Sequence, residues 1–210
     1  MIKVVGIGAG GKTLTIEAAE ALSSAEVVIG AVKYVDMVRS LVRGQVIESE
    51  IDRVESRVEA ALSLRNKRVV VISSGDPLVY GMGSRFIGIP GVEFVPGITA
   101  ASLAANLLGW PLDDFATVSA STYTRSLSDI IRKIETAIAA GFRLAIYNLN
   151  PRTRYADASA IGRTLRARAP NWEYALVRNA RREGQSIIKG RVADLRIEEA
   201  DMNSVLLLRP

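Results

Sequence analysis

Residues 4–13 read VVGIGAGGKT, and their spacing fits two phosphate-binding patterns at once. Gly6, Gly8 and Gly11 form G-x-G-x-x-G, the dinucleotide fingerprint, while Gly6, Gly11, Lys12 and Thr13 form G-x-x-x-x-G-K-T, the phosphate loop of NTPases. In both patterns glycines let backbone N–H groups close on a phosphate at the start of a helix. A dinucleotide site also needs an acid at the end of its second strand, about 20 residues on, to hold the ribose hydroxyls. Here that strand is EVVIG, which ends at Gly30 and carries Glu26 at its start. An NTPase needs a strand ending directly in an acid for Mg²⁺. The candidate, VVVISSGD, reaches Asp76 only across a Ser-Ser-Gly turn, and Pro77 follows at once. Thr13 is placed to open a helix, as a phosphate loop requires. Without either acid, the loop alone reads as a glycine-rich strand-to-helix turn.

Composition narrows the chemistry. The chain has no Cys and no His among 210 residues. That excludes thiol nucleophiles, His-based triads and His/Cys metal sites, and leaves no metal centre to expect. It also removes the usual general base near neutral pH. Catalysis must use carboxylates, Tyr, Lys, hydroxyls or backbone, or be supplied by a cofactor. Net charge is +5, with Arg favoured over Lys, which suits bidentate recognition of carboxylates and phosphates. No dense basic run or RNA-binding aromatic motif points to nucleic acid. No apolar run approaches the roughly 18–20 residues of a membrane span, and no signal-peptide pattern is present, so a cytoplasmic protein is expected.

The elements that must position these residues alternate between strand and helix. Strands are predicted at 2–6, 26–29, 69–72, 92–95, 116–119, 143–147, 174–177, 185–189 and 204–208, the late ones close enough to include an antiparallel edge. Helices are predicted at 14–23, 34–42, 51–64, 99–108, 129–140 and 155–168. The alternation indicates an α/β fold. The Gly109–Asp114 segment is the best boundary and gives two α/β domains, 1–112 and 113–210. Two further glycine-proline turns, Ser73–Pro77 and Pro96–Ala100, follow short apolar strands in the first half. Turns at the carboxyl ends of parallel strands are where α/β folds bind ligands, so the three turns fit one shared binding edge.

Together, GIGAGG, VISSGDPLVYG and VPGITAAS resemble, in order and spacing, the three signature segments of the tetrapyrrole methyltransferase family. In the second half, YNLNPRTR (147–154) and VRNARREGQ (177–185) resemble the branch that methylates carbon 17 of a corrin precursor with ring contraction. FATVS (115–119) and AVKYVD (31–36) fit that branch as well. The likeness covers nearly the whole chain. It departs from the family at Ala9 and Gly11, where Pro and Asp are usual, at a short segment between Gly83 and Val92, and at SASTYTR (119–125).

The resemblance implies S-adenosylmethionine as cofactor, held in a cleft between two α/β domains of a homodimer. It places Ala9, Gly75, Asp76, Pro77, Val79, Tyr80, Thr99, Ala100, Tyr147, Asn148, Asn179 and Ala180 at the cofactor. It implies an anionic tetrapyrrole substrate, with Lys33, Ser119, Arg125, Arg152 and Arg178 on the substrate side. Arg85, Arg154, Arg181 and Arg182 are further candidates to clamp carboxylates. No residue is assigned as catalytic, because methyl transfer from a sulfonium needs alignment more than a base. A sibling acting at another ring carbon, and a phosphate-loop NTPase, are the competing expectations.

Overall fold

Runs of β-branched residues such as IKVVG, VVIGA and VVVIS can be buried on both faces of a parallel sheet, and the chain uses them so. The computed structural model describes all 210 residues. It divides into two compact units, Met1–Ala100 and Ala101–Pro210. The division falls at the head of a helix, ahead of the Gly109–Asp114 segment expected from sequence.

The first unit carries β1 (Ile2–Gly6), β2 (Val27–Ala31), β3 (Gln45–Ser49), β4 (Val69–Ser73) and β5 (Val92–Val95). All pairings are parallel, in the order β3-β2-β4-β1-β5. Successive side chains alternate between faces. Val5, Val28, Val70 and Ile72 meet Ala18, Ala21 and Leu22 of α1 (Ile16–Ser24) on one side. Val4, Ile29, Val69 and Val71 meet Phe86 and Ala61 of α3 (Val54–Ser63) on the other. Each Val, Leu, Ile or Phe among them, once fully buried, contributes about 1.5–3 kcal/mol.

Two elements differ from expectation. The helix predicted over 34–42 is only α2 (Val32–Asp36) followed by a 3₁₀ turn at Arg39–Leu41. Val38 leaves helical geometry (φ −128°, ψ 6°), and Arg39 pairs with Asp36 and with Glu48 of β3, so the chain turns there to enter the sheet. The strand β3 itself gave no sequence signal. It pairs only with β2 at the sheet edge and is half-exposed, so QVIES lacks a buried apolar run. Helix α3 starts later than predicted, because residues 51–53 are tied into the turn before it. Arg57 is 4% exposed and donates to Ser49 Oγ (2.8 Å) and to the carbonyls of Glu50 (2.7 Å) and Ile51 (2.9 Å). Burial holds its guanidinium pKa below the ordinary value.

The second unit opens with α4 (Ala100–Leu108), whose first residue closes the unit before it. It continues through β6 (Phe115–Ser119), α5 (Leu127–Ala139), β7 (Arg143–Tyr147), α6 (Tyr155–Arg168), β8 (Glu173–Arg178), β9 (Ser186–Arg191) and β10 (Ser204–Arg209). The sheet order is β6-β7-β10-β8-β9, with β6 parallel to β7 and the other pairings antiparallel. The antiparallel edge is thus where the late strands were expected. Ile130, Ile134 and Ala137, spaced for one helical face of α5, are buried with Ile161 and Leu165 of α6 against Leu144, Ile146, Leu206 and Leu208. Ser126 caps α5 by accepting from the Asp129 N–H (3.2 Å).

Replacing Arg57 by Met keeps the buried stem and removes the donors to three acceptors. Urea unfolding is expected to show a loss of about 2–3 kcal/mol, the cost of unsatisfied buried carbonyls. An unchanged midpoint would show that the turn at 49–51 does not depend on this guanidinium.

Candidate functional site

The three glycine turns of the first unit lie at the carboxyl ends of β1, β4 and β5, which are neighbours in one parallel sheet. They touch through backbone. A Cβ on Gly97 would stand 2.1 Å from the Gly75 carbonyl oxygen, and one on Gly6 would stand 2.6 Å from the Gly97 nitrogen. Only glycine permits that approach. Gly8 and Gly75 exchange two backbone hydrogen bonds, N to O 3.1 and 3.0 Å.

Asp76 completes the junction. Its Oδ1 accepts from Leu78 N (2.8 Å) and its Oδ2 from Gly97 N (3.1 Å). One carboxylate therefore staples the turn after β4 to the turn after β5. Behind it, Ser73 Oγ accepts from Met82 N (3.1 Å) and Gly83 N donates to the Pro77 carbonyl (2.8 Å), which folds the segment carrying Pro77, Val79 and Tyr80 back onto the strand. Tyr80 sits in the left-handed region (φ 55°) and is 40% exposed.

Gly75 has φ 64°, and its missing side chain leaves a groove. The nearest atoms to an added Cβ are the Ile98 oxygen and Thr99 Cα at 3.9 Å and the Ala100 nitrogen at 4.0 Å. The groove is walled by main chain of Ile98, Thr99 and Ala100. A ligand rich in both donors and acceptors fits such a wall, and a residue with a Cβ at position 75 would fill it.

The first turn does not form a phosphate cradle. Gly11–Thr13 is a 3₁₀ turn, Leu14 is extended, and α1 is capped by Thr15, which accepts from Ala18 N (3.1 Å). Thr13 therefore does not open the helix, contrary to the sequence expectation. Its hydroxyl accepts from Ala9 N (2.8 Å) and donates to the Gly10 carbonyl (2.7 Å), closing the loop on itself. Lys12 is exposed. The strand ends also lack the acids of the two nucleotide folds: β2 ends in Gly30-Ala31 and β4 in Ser73.

In the second unit β7 and β8 both run antiparallel to β10, so the carboxyl ends of β6, β7 and β8 share one edge. Ser119, Tyr147, Asn148, Asn179 and Ala180 gather there. Tyr147 Oη accepts from Ala101 N (2.9 Å), tying the first turn of α4 to β7. Asn148 is left-handed (φ 58°), donates from Nδ2 to Ser119 Oγ (2.9 Å), and offers its carbonyl to Arg154 Nη2 (2.7 Å). Asn179 and Arg181 are left-handed too (φ 48° and 61°). Non-glycine residues in this region are uncommon, and they concentrate where a loop must present its backbone in one way.

The cationic candidates separate by what they hold. Arg178 makes an ion pair with Asp201 (Nε to Oδ2 2.9 Å) and donates to the Glu199 carbonyl (2.6 Å), so its guanidinium is engaged within the unit. Arg154 anchors Asn148 and lies 5.8 Å from the Tyr123 ring centroid. Arg85 pairs with Glu55 (3.1 Å). Arg125, Arg152 and Lys33 are exposed, Lys33 on α2 of the first unit. Gly97 and Ser73, which build the junction, were not singled out from sequence as site residues. The Pro-Gly turn was the available signal for Gly97; Ser73 looked like the end of an apolar strand.

The sequence matches the family described as Tetrapyrrole (Corrin/Porphyrin) Methylases over residues 1–196. It is 41% identical to the "Probable cobalt-factor III C(17)-methyltransferase" of Methanothermobacter thermautotrophicus over 70% of this chain and 45% of that protein. The chain thus spans about half the length of that relative. It is 32% identical to the protein of the same name from Salmonella typhimurium, across 99% of this chain and 92% of the relative. The crystal structure of the methyltransferase CobJ superposes with a TM-score of 0.89 at 27% identity, covering 99% of this chain and 93% of that one. Uroporphyrin-III C-methyltransferase from Thermus thermophilus, solved with S-adenosyl homocysteine, shares the fold at TM-score 0.72 and 24% identity, covering 99% and 91% of the two chains. The glycine junction, the Asp76 staple and the left-handed asparagine loops are therefore features of a chain that belongs to the tetrapyrrole (corrin/porphyrin) methylase family.

Proposed function

We propose that the chain is an S-adenosylmethionine-dependent methyltransferase of cobalamin biosynthesis, acting on carbon 17 of a corrin precursor with ring contraction, as a homodimer. The observation that carries this reading is the main-chain groove at Gly75, Thr99 and Ala100, held open by the Asp76 staple. The names of the relatives support the substrate class. The crystallised relative with S-adenosyl homocysteine supports the cofactor.

Bound S-adenosylmethionine would supply a methyl group from its sulfonium, with the neutral thioether S-adenosylhomocysteine as leaving group, and the substrate an electron-rich ring carbon. The task left to the chain is alignment and exclusion of water. Gly75, Thr99 and Ala100 offer backbone to the cofactor, and Ala9, Pro77, Val79 and Tyr80 complete the surrounding wall. Asp76 acts here as a positioning residue, because both its oxygens already accept backbone N–H groups. Tyr147, Asn148, Asn179 and Ala180 present further backbone, shaped by left-handed geometry and by the Arg154 and Arg178 anchors. Arg178 thus supports the asparagine loop, and carboxylate recognition falls to the exposed Lys33, Arg125 and Arg152, with Ser119 beside Asn148.

Calorimetry with S-adenosylhomocysteine is expected to show one saturable site, and incubation with a tri-methylated tetrapyrrole and cofactor a one-methyl gain in mass. A gain only on another intermediate would move the assignment to a sibling activity; no binding of the homocysteine product would end the reading. Lys12→Ala is expected to leave that affinity within about twofold, since Lys12 is exposed and the loop closes on itself. Mg²⁺-dependent ATP binding abolished by the same change would favour the NTPase instead.

Asp76→Ala removes the acceptor for two N–H groups at the junction. Weakening of S-adenosylhomocysteine by about tenfold or more is expected, the equivalent of one charge-assisted hydrogen bond. Gly97→Ala places a Cβ against the Gly75 carbonyl and is expected to lower stability by about 2 kcal/mol or more, read by urea unfolding. Native affinity in Asp76→Ala would show that the staple does not shape the groove.

A further inference from the structure

A second concave site lies on the antiparallel side of the second unit, formed by residues that the methyl-transfer site does not use. Glu173 of β8 is paired in register with Arg191 of β9 on one side and Arg209 of β10 on the other, so the three side chains form one cross-strand row. Lys189 stands two residues along β9, on the same face of the sheet. The end of α4 brings Trp110 to this row, its N–H bonded to the Ala105 carbonyl (3.0 Å), with Arg209 Cζ 4.3 Å from the indole centroid. Together they line a cleft of about 350 Å³. That volume lies at the low end of the range typical for small-molecule sites.

The charges in the cleft do not cancel. The single carboxylate, Glu173, is engaged by Arg209 through Nε (2.7 Å) and Nη2 (2.5 Å). Arg209 is further fixed by the indole in a cation–π arrangement. Arg191 donates to the Asn171 carbonyl (2.6 Å), which holds its guanidinium in place without neutralising it. Lys189 has no carboxylate partner. Two cations are therefore left over, two residues apart on the same face of one strand and exposed at the mouth of the cleft.

We propose that this cleft binds a small polyanion, a molecule carrying at least two phosphate or carboxylate groups, through Lys189 and Arg191 beside the Trp110–Arg209–Glu173 stack. The site is independent of methyl transfer. Both ligand sources share the same chemistry of recognition, paired oxygens accepting from guanidinium and ammonium donors.

Trp110 provides the readout. The chain has two tryptophans, and Trp172→Phe leaves Trp110 as the sole indole. Pyrophosphate and citrate are titrated separately into this variant at low ionic strength, with fluorescence followed and chloride matching the ionic strength. A saturable change with either ion is expected, weakened about tenfold or more in Lys189→Ala/Arg191→Ala and weakened also in Lys189→Gln, which removes only the unpaired ammonium. Response to pyrophosphate alone identifies a phosphorylated ligand, and response to citrate alone a carboxylated one. Amide shifts of Gly190 and Arg191 on titration give a second readout that needs no indole. No saturation with either ion, or a Lys189→Gln variant that titrates as its parent, overturns the proposal.

Discussion

The first unit depends on a backbone crossing that no side chain can share. Gly6, Gly75 and Gly97 bring the ends of three parallel strands so close that a single methyl at Gly97 would overlap the Gly75 carbonyl. The crossing would be unstable without something to hold its N–H groups, and the Asp76 carboxylate does so from the centre. Strand ends that would otherwise diverge with the twist of the sheet are drawn into one junction. The groove beside Gly75 is a consequence of that junction: it exists because the neighbouring turns are too tightly joined to fill it.

A chain without His or Cys must build its candidate site from other groups. The three turns present main chain, and the Asp76 carboxylate is occupied by structural hydrogen bonds. Main-chain dipoles fixed in this way need no reorganisation when a ligand arrives. The second unit uses the same strategy with different residues. Asn148, Asn179 and Arg181 adopt left-handed geometry without being glycine, and Arg154 and Arg178 hold the neighbouring carbonyls and acids that keep them there. Arginine in this chain thus occupies two settings. Some guanidiniums are internal braces, Arg57 and Arg178 among them, and others, such as Arg125 and Arg152, are exposed.

Much of the architecture was legible before any coordinates. The buried strands VVVIS and RLAIY are continuous apolar runs, and the helix over 155–168 is bounded where its periodicity stops. The remaining elements carry weak local signals. β3 is a half-exposed edge strand with only two apolar residues, Val46 and Ile47, between polar ones, and the segment over 34–42 has helical spacing but is bent by the ion pairs of Arg39. The candidate site was legible as three turns. The sequence did not show that Thr13 closes its own loop, or that the Arg178 guanidinium is engaged by Asp201 and Glu199.

Composition and motif by themselves determined that the chain is α/β, that its chemistry cannot run through imidazole or thiol, and that its glycine turns follow short strands in the order of a methylase-like fold. These are properties of residue type and spacing, which act locally. Only the tertiary structure decided what each polar group is bonded to. Asp76 is a staple, Thr13 a loop clasp and Arg178 a brace because their partners lie far away in sequence or across a turn whose shape the residues themselves do not announce. The excess of Lys189 and Arg191 over Glu173 likewise appears only when three strands are laid side by side, since charge balance in a cleft is set by neighbours in space.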